Sequence, residues 1–161
     1  MKNLELDGMG DPVLVRTNQR LLEVLVDQGA RMQMACGGKG LCATCHVHVT
    51  AGAERLSPVT PRERRSLEML VDRRPSSRLA CQAKVLESGV RVALPTGRYL
   101  TASADLEGLV GRRAEEPVLH PIDGRVLIAT GKIITRSRIR ELVEVDYDVA
   151  EMRTRSLTLR R

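Results

Sequence analysis

The chain has 161 residues and 42% apolar content, enough for one ordinary domain or two small ones around a buried core. It holds no Phe, no Trp and two Tyr, so the core must be built from Leu, Val, Ile, Met and Ala, and the stacking platforms of single-strand binders are missing. A formal charge of +6 is mild and points to acidic or neutral protein partners, not nucleic acid, and no apolar run approaches a transmembrane helix.

In chain order, Met1 to Asp7 carries acidic residues and no apolar leader region, so a cytoplasmic protein is expected. Leu4 and Leu6 alternate with polar neighbours, Gly8 to Pro12 supplies a turn, and Val13 and Val15 alternate on the return. Residues 1–16 therefore read as a strand hairpin. A helix is expected at about 19–28, capped by Thr17 or Asn18, with Leu21, Leu22, Leu25 and Val26 as its apolar stripe and Gly29 as its stop.

Residues 31–35 then lead into Cys36-Gly-Gly-Lys-Gly-Leu-Cys42-Ala-Thr-Cys45. Far downstream, Arg78-Leu-Ala-Cys81-Gln supplies the last of the four cysteines, giving Cys-x5-Cys-x2-Cys-x35-Cys. Four thiolates drawn together suit a [2Fe–2S] cluster, two to each iron. Gly37, Gly38 and Gly40 let the loop curl and turn N–H groups toward sulfur. A structural zinc site would want two Cys-x2-Cys or mixed Cys/His pairs, and only one such pair exists. Disulfides lack the support of a secretory signal.

After the loop, Cys45, Val47 and Val49 fall on one face of a strand and His46 and His48 on the other, where surface or hydrogen-bonding roles are expected. Thr60-Pro-Arg-Glu63 is a capping box that opens a helix over about 61–71. Leu67, Leu70 and Val71 are its inner face and Arg62, Arg65 and Glu68 its outer one. Residues 78–86 are expected to form the strand carrying Cys81, and Val90 to Leu94 the last strand before a boundary at Pro95-Thr-Gly97.

Residues 98–161 read as a small β-rich domain or extension. Val118 to Ile128 forms a hairpin turning at Pro121 and Gly124, and a helix near 136–143 is capped by Thr135. Strands are expected at 143–147 and 156–159, and residues 98–110 could lie back over the first domain. His120 reads as a turn residue, not a base.

The cysteine loop, Cys-Ala-Thr-Cys-His-Val at 42–47 and Arg-Leu-Ala-Cys-Gln at 78–82 resemble the adrenodoxin-like branch of the [2Fe–2S] ferredoxins. The five residues between the first two cysteines set it apart from the plant-type pattern, which has four. The resemblance covers roughly residues 1–97 and implies an α+β architecture, a β-grasp ferredoxin domain with the β-rich extension after it. It implies one-electron transfer without a catalytic site, with Cys36 and Cys42 on one iron and Cys45 and Cys81 on the other. Gly37, Gly38, Gly40, Leu41, Ala43 and Thr44 would surround the cluster near the surface. His46 would tie the loop to the core, and Lys39 and Arg78 would favour the reduced form.

In that family the helix at 61–71 is typically acidic and docks redox partners; here it is basic. The expected partners are redox proteins, a reductase and an acceptor or a larger complex, with 98–161 as a docking element. The alternative is a bound redox subunit or sensing module anchored by that extension. A nucleic-acid regulator is the weakest reading.

Overall fold

The computed structural model describes residues 1–158. Strands β1 (Lys2–Leu6), β2 (Met9–Val15), β3 (His46–Ala51), β4 (Ser77–Leu79) and β5 (Val90–Ala93) form one mixed sheet in the order β2-β1-β5-β3-β4. β1 and β2 are the expected hairpin, and β1 pairs in parallel with β5. Helix α1 (Leu21–Asp27) packs Leu21, Leu22, Val24 and Leu25 into the sheet's core. This is the β-grasp arrangement.

Three details around α1 and Cys81 differ from expectation. Neither Thr17 nor Asn18 caps α1. Its first N–H groups go instead to backbone carbonyls beyond β4, Leu21 to Ala83 O at 2.9 Å and Leu22 to Ala80 O at 3.0 Å. The crossover helix is thus tied to the turn that carries Cys81. Val26 is exposed and Val24 takes its place inside. β4 ends at Leu79, so Cys81 sits in a turn and not in a strand.

Helix α2 (Pro61–Glu68) starts where the capping box places it, with Thr60 Oγ1 accepting from Glu63 N at 3.2 Å. Leu67 and Leu70 are buried, whereas Val71 lies past the helix end and is exposed. β3 is central, and both of its faces are covered. His46 and His48 are therefore buried, at 3% and 5% exposure, and not on the surface. His46 Nε2 pairs with Ser77 Oγ at 2.8 Å. Among the described residues His48 has no hydrogen-bond partner, and it lies 3.7 Å from Asp72.

The second half has its own sheet. β6 (Arg98–Tyr99), β7 (Val118–Leu119) and β8 (Val126–Ile128) lie in that order, β6 parallel to β7 and β7 antiparallel to β8. Residues 98–110 are part of it: after β6, a 3-10 stretch at Ser103–Leu109 buries Leu106 in the second core. Helix α3 (Arg136–Glu141) is capped by Thr135, as expected. The strands expected at 143–147 and 156–159 are instead one helix, α4 (Val143–Thr158); Leu159 lies outside the described residues. Val143-Glu-Val-Asp-Tyr has the alternation of a strand over five residues. The longer period wins, because Val145, Val149, Met152 and Ser156 recur at helical spacing and all four are buried.

The two halves share a core. The second apolar cluster joins Leu100, Leu106, Val118, Leu127, Val145, Val149 and Met152 to Ala35, Cys36 and Cys42 of the cysteine loop.

Candidate metal centre

All four cysteines are buried and unbridged. The loop between Cys36 and Cys42 runs through three left-handed glycines, at φ +68°, +77° and +73° for Gly37, Gly38 and Gly40. Gly40 is also held by packing, since a Cβ there would lie 2.9 Å from Gln82 Cδ. Ser66 Oγ of α2 donates to Gly40 O, and Gln82 Nε2 donates to Gly38 O at 3.3 Å. α2 and the Cys81 turn therefore fix the loop from outside.

The sulfurs lie in two neighbouring pairs, Cys36 with Cys42 and Cys45 with Cys81, in which each thiol acts on its partner. The bond from Cys42, opposed by burial and helped by the backbone N–H groups of Leu41, Lys39 and Gly38, holds Cys36 down to about 5. The bond from Cys45 likewise lowers Cys81, with the Gln82 side chain and Gly40 N–H assisting. Cys42 and Cys45 are raised as the donors in these pairs, and burial raises them further. Thiolate is the form that ligates metal, and the lowering of Cys36 and Cys81 favours it at one sulfur of each pair.

Among the described residues no three His, Cys, Asp or Glu side chains converge on one ion-sized position. Two sulfur pairs with loop N–H groups directed at them have the donor chemistry that a two-iron cluster would take.

The other expected site residues divide. Thr44 touches the site, its Oγ1 lying 3.1 Å from Cys42 Sγ and accepting from Ala35 N at 3.3 Å. Gly38 and Leu41 aim their N–H groups at Cys36, and Gly40 aims its own at Cys81. Gly37 N instead closes a turn on Met34 O at 2.9 Å, and Ala43 N is taken up by Pro121 O at 2.7 Å.

The electrostatics differ from expectation at Arg78. Arg78 is not an open charge: Glu63, fully buried, takes Nε at 2.7 Å and Nη2 at 3.2 Å, and also accepts from Leu79 N at 3.0 Å. Lys39 reaches across to α4, where its Nζ donates to Ser156 Oγ and to Ser156 O. Nor does the loop lie open on all sides, because the extension covers Cys36 and Cys42 to 4% and 1% exposure.

Ser66, Gln82, Pro121, Ser156 and Tyr99 were given no site role by the sequence. Only Gln82 had a signal, as the neighbour of Cys81. Tyr99 is held as the neutral phenol, chiefly by burial.

A β-grasp sheet that presents two cysteine pairs from a glycine loop and a following turn defines an iron–sulfur electron carrier. The chain belongs to the 2Fe-2S iron-sulfur cluster binding domain family, whose model matches residues 4–86. It is 35% identical over 94 residues to 2Fe-2S ferredoxin-5 of Aquifex aeolicus, covering 58% of this chain and 91% of the relative. It is 32% identical over 115 residues to rhodocoxin of Rhodococcus erythropolis, covering 70% of this chain and 92% of the relative.

Among solved structures, the ISC-like [2Fe-2S] ferredoxin of Pseudomonas putida superposes with a TM-score of 0.55 at 28% identity, over 59% of this chain and 93% of that one. Putidaredoxin, in its covalent complex with putidaredoxin reductase, gives 0.51 at 29% identity, over 58% and 98%. The chain is thus an adrenodoxin-like ferredoxin, a one-electron carrier with a [2Fe–2S] cluster. No helix among the described residues is long and apolar enough to cross a membrane.

Proposed function

We propose that Cys36 and Cys42 hold one iron and Cys45 and Cys81 the other, in a carrier that has no catalytic site of its own. The pairing of the four sulfurs supports this reading. The bound group supplies a one-electron couple. The chain's own residues shape that couple: loop N–H groups and the Thr44 hydroxyl meet the sulfurs, and the second core keeps water from Cys36 and Cys42. A reducing, cytoplasmic setting suits four unbridged thiols.

Residues 1–97 form the electron-transfer domain in this reading, and 98–158 add to its docking surface for a reductase and an acceptor. The seam between α2 and α4, where Leu41, Met69, Ile122 and Met152 line one cleft, supports that role. Use of the extension purely as an anchor to one partner is not favoured, because much of its apolar surface is spent on this chain's own loop.

The experiment is single Cys→Ser substitution at each of the four positions. Each variant should lose the visible absorbance and the dithionite-reduced two-iron EPR signal, or change its g-values. A variant that keeps both unchanged would remove that cysteine from the set.

A further inference from the structure

The cysteine loop has a covered side and an open side. On the covered side lie the second core, the Ala43 N to Pro121 O bond and the Lys39 tie to Ser156. On the open side the loop borders a groove lined by Leu41, Gln82 and Ser66, with Arg62 and Arg65 at its rim. The groove runs next to the ligand set, since Leu41 adjoins Cys42 and Gln82 adjoins Cys81. Its walls are fixed, because Ser66 donates to Gly40 O and Gln82 to Gly38 O.

The charge of this groove is cationic. Arg62 and Arg65 are exposed and make no salt bridge among the described residues. Glu63, in the same turn, is withdrawn from the surface by its bond to Arg78. That leaves Glu68 as the one acid on the exposed side of α2, against Arg62, Arg64 and Arg65. Lining groups of one charge sign in a cleft concentrate oppositely charged groups and raise their rate of encounter.

We propose that electron exchange passes through this groove, and that the partner it takes is a protein presenting carboxylates. The proposal rests on the four-cysteine reading above. Covering by the extension directs the partner to the groove, and the two arginines set the partner's sign. A basic partner surface is repelled there.

Small oxidants of opposite charge test the claim on the full-length holo-protein. Protein reduced by dithionite is mixed with ferricyanide or with tris(phenanthroline)cobalt(III). Each oxidant takes one electron, iron(III) becoming iron(II) or cobalt(III) becoming cobalt(II). In the unmodified chain the ferricyanide rate should fall as salt is added, through screening. Arg62→Glu with Arg65→Glu should lower that rate by about tenfold or more and raise the cobalt rate. Arg136→Glu with Arg140→Glu, the same charge change placed on α3, should do markedly less.

A readout independent of electron transfer uses redox-inert hexacyanochromate(III). It should broaden those NMR resonances of residues 60–66 that stay resolved in the oxidised protein, and the α2 double variant should abolish the effect. Equal rate changes in the two double variants, or broadening centred elsewhere, would overturn the groove. So would retention of the unmodified protein on duplex DNA that the α2 variant abolishes, which would assign the arginines to nucleic acid. Loss of the reducible chromophore from the unmodified chain would instead overturn the four-cysteine reading.

Discussion

Gly40 carries two constraints at once. Its φ of +73° is a left-handed conformation, and a Cβ there would meet the Gln82 side chain at 2.9 Å. Gly40→Ala therefore strains the backbone and displaces the amide that straps Gly38 and touches Cys81. A cost of about 1–2 kcal/mol is expected from the conformation alone. Iron release to a ferrous chelator should quicken in step with the drop in unfolding midpoint; an unchanged release rate would free Gly40 of its loop-holding role.

His48 is a second residue with a readable consequence. Burial lowers its tendency to protonate, with Arg74 adding to this and Asp72 partly opposing it. The unfolded chain has no such restriction and takes up a proton as pH falls through the ordinary histidine value of about 6.5. The folded state binds fewer protons there, so His48 costs stability as pH drops below that value and nothing above it. Asp72→Asn removes the opposing charge and should steepen the fall in unfolding midpoint between neutral and mildly acidic pH; His48→Gln should flatten it.

At the scale of elements, α2 shows how far the sequence could be read. Thr60 and Pro61 predict the start of the helix, and the structure agrees, because capping is decided within three residues. The same motif predicts that Glu63 turns back to the helix start. It does not: Glu63 reaches Arg78 and Leu79 N, fifteen and sixteen residues on. No local pattern announces a pair formed between separate elements. A buried carboxylate with its guanidinium removed, or the reverse, leaves an uncompensated charge, which costs about 3–5 kcal/mol. Glu63→Gln should lose stability on that scale in chemical denaturation, and Glu63→Gln combined with Arg78→Met should recover a good part of it. If the double variant is as unstable as the single one, packing and not charge is what the pair supplies.

For the whole molecule, the first half was legible because its message is carried by cysteine spacing, glycines and short strands, all local or motif-bound. The cover over Cys36 and Cys42 was not. It is assembled from Leu100, Leu127, Val149 and Met152, whose meeting with the loop depends on chain separations of tens of residues. α4 was hidden further by five residues of strand-like alternation.

Lys39 is the polar fastening of that cover. Its ammonium spans from the loop to Ser156 of α4, donating to the Ser156 hydroxyl and carbonyl. A hydrogen bond to a charged group contributes about 1.5–3 kcal/mol, and a 1.4 kcal/mol loss is a factor of about ten in an opening equilibrium. Lys39→Met keeps the aliphatic stem and removes the charge. Hydrogen exchange at the Ala43 amide, which is closed by Pro121 O at 2.7 Å, should then speed up by about tenfold or more. Amides of β1 and β2, on the far edge of the first sheet, should keep their rates, which separates loosening of the cover from general destabilisation. Unchanged exchange at Ala43 would mean that the extension is held on the loop without help from Lys39.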